Sequence, residues 1–273
     1  MFLFTMKKKQ AIGVFDSGIG GLTVAHQIHK LMPQERIVYF GDTQHLPYGD
    51  KSPEAILKFS TAITEFLLEQ DCKMIVVACN TASAIAFNKV RELCGDIAIA
   101  INVIDPVVED VCSKTEDCIG IIGTKNTIQS DVYSKKIKAI KPELKTQSMA
   151  TPLLVPMIEE GFYQNKISET ILENYLEDPA LQAINKLILG CTHYPLIEEE
   201  IETYYQNKVT IVNSARIVSQ YIQKQLSEKG LLQDDLSEKN HQFYLSDFTN
   251  SFEQSAQYFF GEKIHLTEVN LWE

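Results

Sequence analysis

The sequence is short of positive charge. Lys and Arg number 25 against 36 Asp and Glu, which leaves a formal net charge of −11. No basic stripe offsets the excess, and the one basic cluster, Lys7-Lys8-Lys9, reads as a solvated tail. A chain this acidic is poorly suited to gripping a phosphate backbone, so nucleic acid is not an expected partner. Long apolar runs are also missing. None approaches the ~18 consecutive apolar residues of a membrane span. The opening MFLFTMKKKQ places its apolar residues ahead of its lysines, the reverse of a secretory signal, and its run is shorter than the ~7–15 residues such a signal needs. A cytoplasmic location is therefore expected, with no membrane partner. The six cysteines are Cys72, Cys79, Cys94, Cys112, Cys118 and Cys191, and no two stand at C-x-x-C spacing. Scattered through a chain of 273 residues, they argue against a disulfide framework and against structural metal. Low-complexity tracts and Gly/Ser-rich linkers are absent as well.

What is there is a regular alternation. Short apolar runs recur at AIGVF (11–15), RIVYF (36–40), MIVVA (74–78), IAIAINVI (97–104), CIGII (118–122), LILG (187–190), VTIV (209–212) and QFYLS (242–246). Between the first two, Leu22, Ala25, Ile28 and Leu31 or Met32 recur at helical spacing. The segment 52–70 reads as a second helix, with Ser52 as N-cap and Pro53 as its first residue. Strands alternating with helices predict an α/β fold with mostly parallel sheets.

Chemically able residues close nearly every run: Asp16-Ser17, Asp42-Thr43, Cys79-Asn80-Thr81, Asp105, Thr124, Cys191-Thr192-His193 and Asn213-Ser214. In parallel α/β folds the carboxyl edge of the sheet is where ligands bind. Asp, Ser, Thr and Asn at such tips can equally be plain helix caps. Cys is a poor cap, so that alternative fails for two of the tips. The pattern strand–Cys–polar–Thr/His occurs at 79 and again at 191. This repeat predicts two similar α/β lobes with the active site in the cleft between them. Spacing alone puts residues 1–98 with 213–273 in the first lobe and 99–212 in the second.

Cys72, Cys94, Cys112 and Cys118 read as small buried hydrophobes. Cys79 and Cys191 are expected where a strand ends and a helix begins, a position that lowers a thiol's pKa. Three uses compete. A redox pair wants adjacent thiols. A nucleophile wants one cysteine with a histidine, and His193 beside Cys191 keeps that reading open. A two-base enzyme wants equivalent thiols on opposite faces of a substrate carbon, and the repeat favours this third use.

The blocks FDSGIGGLTV (15–24), YFGDTQHLPYGDKS (39–52), VVACNTASA (76–84), LVPMIEEG (154–161) and LGCTHYPL (189–196) resemble the glutamate racemase family. They run in the family's order from about residue 11 to the C-terminus, and the paired ACNTAS and GCTHYP blocks are highly specific. Aspartate racemases share the architecture and both cysteines but usually lack the DSGxGGL opening and the CTHYP block. The resemblance implies interconversion of L- and D-glutamate without pyridoxal phosphate, metal or any other cofactor, supplying D-glutamate for peptidoglycan. It implies that Cys79 serves the D-glutamate face and Cys191 the L-glutamate face, assisted by Asp16, His193 and Glu159. It further implies substrate contacts at Asp16, Ser17, Tyr48, Gly49, Asn80, Thr81, Thr192 and His193, with Thr124 and Thr127 holding a carboxylate, and a homodimer. Two positions depart from the family's usual pattern: Thr151 stands where Cys is common and Asn213 where Asp is common. An aspartate or related amino-acid racemase is the alternative enzyme, and a non-catalytic glutamate-binding protein of the same fold the alternative outside catalysis.

Overall fold

A computed structural model describes residues 6–113, 118–235 and 241–272. The apolar opening, residues 1–5, lies outside them. Ten strands are described: β1 Ala11–Asp16, β2 Ile37–Gly41, β3 Cys72–Val77, β4 Ile99–Asn102, β5 Cys118–Gly123, β6 Lys145–Ala150, β7 Lys186–Gly190, β8 Thr210–Val212, β9 Gln242–Leu245 and β10 Leu266–Glu268. They form two sheets, ordered β10-β9-β2-β1-β3-β4 and β6-β5-β7-β8. Every pairing within both is parallel. The central strands β1, β2 and β3 are buried along their whole length, as a parallel sheet covered by helices on both faces requires.

The apolar runs found in the sequence match eight of these strands. β6 and β10 escape that reading because both are edge strands. KTQSMA is exposed or half-exposed throughout, and LTE buries only Leu266. The run 97–104 contributes only its middle as strand, and β4 pairs with β3 in the first sheet. Spacing alone puts residue 99 onward in the second lobe, yet β4 extends the first sheet. The physical reason is local: the run supplies one more apolar strand to β3 before the chain turns at Val103 and Ile104. The helix Pro53–Glu69 starts as expected, with the Ser52 side chain accepting from Ala55 N at 3.3 Å and Pro53 in its first turn. The helix Ser214–Glu228 returns after β8 to pack on the helix Leu22–Leu31.

A buried ion pair ties the amino ends of the first sheet together. Lys73 and Glu35 are both fully buried, with Nζ 2.7 Å from Oε2. Lys73 also donates to the carbonyls of Lys8 at 2.6 Å and Leu231 at 2.9 Å, while Glu35 Oε1 accepts from Gln233 N at 2.8 Å. Burial alone pushes the Lys73 ammonium below its usual range, and the contact with Glu35 opposes this. Removing one partner strands the other charge. Lys73→Met is expected to lower unfolding free energy by about 3–5 kcal/mol, and the double variant Glu35→Leu/Lys73→Met to recover most of that loss. Urea unfolding of the three proteins checks it. A single variant no less stable than the double would contradict it.

Candidate active site

The carboxyl edges of both sheets meet at one cavity of about 280 Å³. The wall comes from the segments that follow β1 (Ser17, Gly18), β2 (Leu46 to Asp50), β3 (Cys79 to Thr81), β5 (Thr124, Lys125) and β6 (Thr151, Pro152, Val155, Pro156, Glu159), and from the end of β7 onward (Gly190 to His193). Cys79 and Cys191 both line it, one from each sheet. Of the other strand tips, Asp105 pairs with Lys136 at 2.7 Å, and Asn213 caps a helix by accepting from Arg216 N at 3.2 Å. Neither lines the cavity.

Cys79 does occupy a helix N-cap. Its Sγ accepts from Ala82 N at 3.4 Å and lies 3.8 Å from Ser17 Oγ. The helix does not dominate its chemistry. Burial pushes the thiol up to about 12, the nearby Asp16 charge adds to this, and the contacts with Ala82 and Ser17 oppose it. One N–H from a helix of six residues cannot offset the desolvation of a buried sulfur. Asp16 is itself fully buried, and desolvation raises its pKa despite the His193 charge and N–H donors from Gly21, Gly18 and Ser17.

Cys191 is not at a helix start. A turn follows it, then one 3-10 turn at Tyr194–Ile197, and the helix begins only at Glu198. A side chain stands where the helix was expected: His193 Nδ1 lies 3.6 Å from Cys191 Sγ, and its Nε2 lies 2.9 Å from Glu159 Oε1. Burial works against charge on the ring, but the hydrogen bonds to Cys191 and Glu159 raise its pKa to about 10. The charged ring therefore adds folding stability in full below about pH 6.5, lost as pH rises through about 10. Phe259 closes over the ring edge-to-face at 5.2 Å. The backbone at Gly20 comes so near that a Cβ there would lie 2.4 Å from His193 Cε1. Thr23 Oγ1 donates to Thr192 O at 2.8 Å, and Thr192 Oγ1 donates to Asp16 Oδ1 at 3.4 Å, so the tip that bears Cys191 is joined across the lobes to the end of β1 and the helix that follows it.

Donors for anionic groups cluster opposite. Thr81, Thr124 and Thr127 form a triangle of hydroxyls with sides of 2.9, 3.2 and 3.0 Å. Asn80 Oδ1 accepts from Tyr133 OH at 2.7 Å, which fixes the amide's orientation, while Asn80 Nδ2 is buried with no partner. Tyr48 gives its hydroxyl to Asp42 at 2.7 Å, so the turn Tyr48-Gly49 offers the cavity its backbone. Asp16 and Thr127, expected as direct contacts, stand one layer behind the lining residues. Thr151 lines the cavity and lies 2.6 Å from Tyr194 OH, and Asn213 Nδ2 donates to Glu198 at 2.6 Å, so both unusual positions are satisfied. Sequence reasoning missed the apolar wall of Leu46, Pro47, Pro152, Val155 and Pro156, which carries no chemical signature. It also missed Tyr133, which no motif flags. Among the described residues, no group of three or more His, Cys, Asp or Glu is placed to hold a metal ion.

The model of the Asp/Glu/Hydantoin racemase family matches residues 21–222. A glutamate racemase of Geobacter metallireducens is 39% identical over 93% of this chain and 94% of its own. The crystal structure of a Francisella tularensis glutamate racemase in complex with D-glutamate superposes with a TM-score of 0.91 at 37% identity, covering 97% of this chain and 98% of that one. A Bacillus anthracis glutamate racemase isoform gives the same TM-score of 0.91 at 37% identity and the same coverage, 97% and 98%.

The two thiols should differ in reactivity. Cys79 is held as thiol by burial and by Asp16, whereas Cys191 has an imidazole alongside. Brief iodoacetamide treatment of the native protein at pH 8, read by peptide mass spectrometry, is expected to alkylate Cys191 well ahead of Cys79. Equal labelling, or Cys79 first, would overturn this ordering.

Proposed function

The chain belongs to the Asp/Glu/Hydantoin racemase family, and from that premise we infer that it is an isomerase interconverting L-glutamate and D-glutamate. The D-enantiomer it forms is a building block of peptidoglycan. One observation carries the mechanism: thiols from two different sheets line one cavity that also holds hydroxyl and amide donors. A carbon bound between them presents one face to each.

In the reaction a thiolate on one face takes the α-proton. The electron pair passes to the α-carbon and its carboxylate, and the thiol on the other face returns a proton to the opposite side. The first sulfur ends as thiol and the second as thiolate, so the net change is inversion alone. The hydroxyls of Thr81 and Thr124 and the free Nδ2 of Asn80 are suited to hold carboxylate oxygens, and fixed donors of this kind stabilise the carbanion-like transition state. Ser17, Thr192 and the backbone of Tyr48-Gly49 complete the substrate wall. The substrate's two carboxylates meet local donors, which outweigh a net charge of −11.

Before substrate arrives, His193 keeps its proton between Cys191 and Glu159, and burial holds the proton on Cys79. Cys191, with the imidazolium alongside, is the base suited to the enantiomer that turns its α-hydrogen toward it, and the family resemblance makes that L-glutamate. Glu159 serves by holding the imidazolium, and Asp16 by keeping the Cys79 proton in place. We assign β1 to β4, β9, β10 and the helix Ser214–Glu228 to one lobe and β5 to β8 to the other. A homodimer in the cytoplasm is the working assembly on the same resemblance. Among the described residues no helix is long and apolar enough to cross a membrane.

Each thiol is needed for inversion, so losing one should nearly equal losing both. Cys79→Ser and Cys191→Ser are each expected to lose ~10²–10⁴-fold in kcat, with D-glutamate still bound. Optical rotation and calorimetry check this, with L-aspartate as control. In heavy water, deuterium should enter the product enantiomer well before it enters recovered substrate. A near-native rate in either variant, or early deuterium in recovered substrate, would overturn the two-base reading.

The role of Glu159 has a sign. It raises the His193 pKa, so removing its charge lowers that pKa. Glu159→Gln is expected to move the alkaline limb of the L-to-D pH–rate profile to lower pH. A limb that stays in place, or moves to higher pH, would exclude Glu159 from the relay.

A further inference from the structure

The turn that carries Tyr48 and Gly49 is held from behind by residues distant in sequence. Asp42 is the hub, fully buried. Its Oδ2 accepts from Tyr48 OH at 2.7 Å, its Oδ1 accepts from Ser246 Oγ at 2.8 Å, and His45 Nδ1 lies 2.9 Å from Oδ1. The His45 ring fills an aromatic box. It stacks on Phe59 with centroids 3.9 Å apart and planes at 20°, and meets Trp272 edge-on at 4.7 Å. Phe59 and Trp272 close the box at 5.2 Å. Trp272 is the only tryptophan in the chain. It arrives from the far end of the sequence, just after β10 has joined the first sheet. Its Nε1 is buried without a partner, so the indole is held there by its ring contacts. From the other lobe, Asn126 Nδ2 donates to the carbonyls of Tyr48 at 2.9 Å and Lys51 at 2.8 Å. A Cβ at Gly49 would lie 3.0 Å from Thr124 Cβ, so the turn sits directly on the hydroxyl cluster.

These contacts converge on one short segment. Leu46, Pro47, Tyr48 and Gly49 wall the cavity, whereas His45, Phe59 and Trp272 do not. We propose that His45 is a positioning residue for glutamate binding and that Trp272 acts through it, which makes the C-terminal segment a working part of the substrate site. The proposal rests on the reading of the cavity as a glutamate site. The aromatic box fixes the imidazole, the imidazole fixes Asp42, and Asp42 fixes Tyr48, whose backbone then keeps its place against Thr124. Backbone contacts to a carboxylate are made alike by bound substrate and transition state. Loosening them weakens both equally, which raises KM and spares kcat.

The test uses Trp272→Ala, Trp272→Phe and His45→Ala in the full chain, with His45→Gln as the milder change at that position. Trp272→Ala and His45→Ala are each expected to raise KM for glutamate about tenfold, with kcat within about twofold of wild type. Trp272→Phe, which keeps a ring against His45, should restore most of the affinity. Hydrogen exchange followed by mass spectrometry, without glutamate, should quicken at residues 46–50 and stay unchanged at residues 72–78. In His45→Ala and His45→Gln, acrylamide should quench the single indole more readily than in wild type. Unchanged KM with a lowered Tm would make the box ordinary packing and overturn the proposal. So would unchanged exchange at residues 46–50. If the wild-type protein does not racemise glutamate, the reading of the cavity fails, while the exchange data still decide whether the box holds the turn.

Discussion

A proton held on His193 between Cys191 and Glu159 is the interaction on which the rest of the site depends. Burial by itself would strip that proton away, and the ring keeps it only because a carboxylate stands on one side and a sulfur on the other. The surroundings serve this arrangement. Gly20 leaves room for the ring, Phe259 covers it, and Thr192 ties its turn to Asp16 and thus to the opposite lobe. Cys79 has no such partner and relies on Ser17 and a single helix N–H. The two thiols are alike in position along their strands and unlike in charge environment. The proposed two-base mechanism draws on that asymmetry, with one thiol to begin as base and the other as acid.

Two parallel sheets suit this task because both present their carboxyl edges to one space. Each edge contributes a thiol, and loops from both lobes interlock around the cavity. The hydroxyl triangle takes Thr81 from the first lobe and Thr124 and Thr127 from the second. Asn126 reaches back to the carbonyls of the Tyr48 turn. The cleft is therefore bridged on the donor side as well as the thiol side, which favours exclusion of water from a carbanion-like intermediate.

Much of this was legible in the sequence. Buried parallel strands are nearly continuous apolar runs, so the central strands announced themselves, and the polar residues after them marked the site. The polar edge strand β6 and the short β10 gave no such run. Motif spacing located both cysteines but not the character of their surroundings. A helix start was expected at both, yet at Cys191 the chain makes a turn and substitutes a histidine for the helix. Cys79 does cap a helix, and desolvation overrides it. Burial depth is a tertiary property, so no local pattern could have shown that outcome. Tyr48 was picked out by its motif, but which way its hydroxyl points depends on Asp42 and on Ser246, some two hundred residues further along.

The unpartnered Nδ2 of Asn80 has a consequence for selectivity. The amide cannot turn to satisfy itself, because its oxygen is engaged by Tyr133. A guest that brings an oxygen to that point relieves a standing desolvation penalty, while one that brings a methyl group or a second donor leaves the N–H dry. Sites that discriminate this way reject the wrong guest by far more than they attract the right one, since a stranded buried donor is worse than a missing contact. The cleft is choosy through what it refuses.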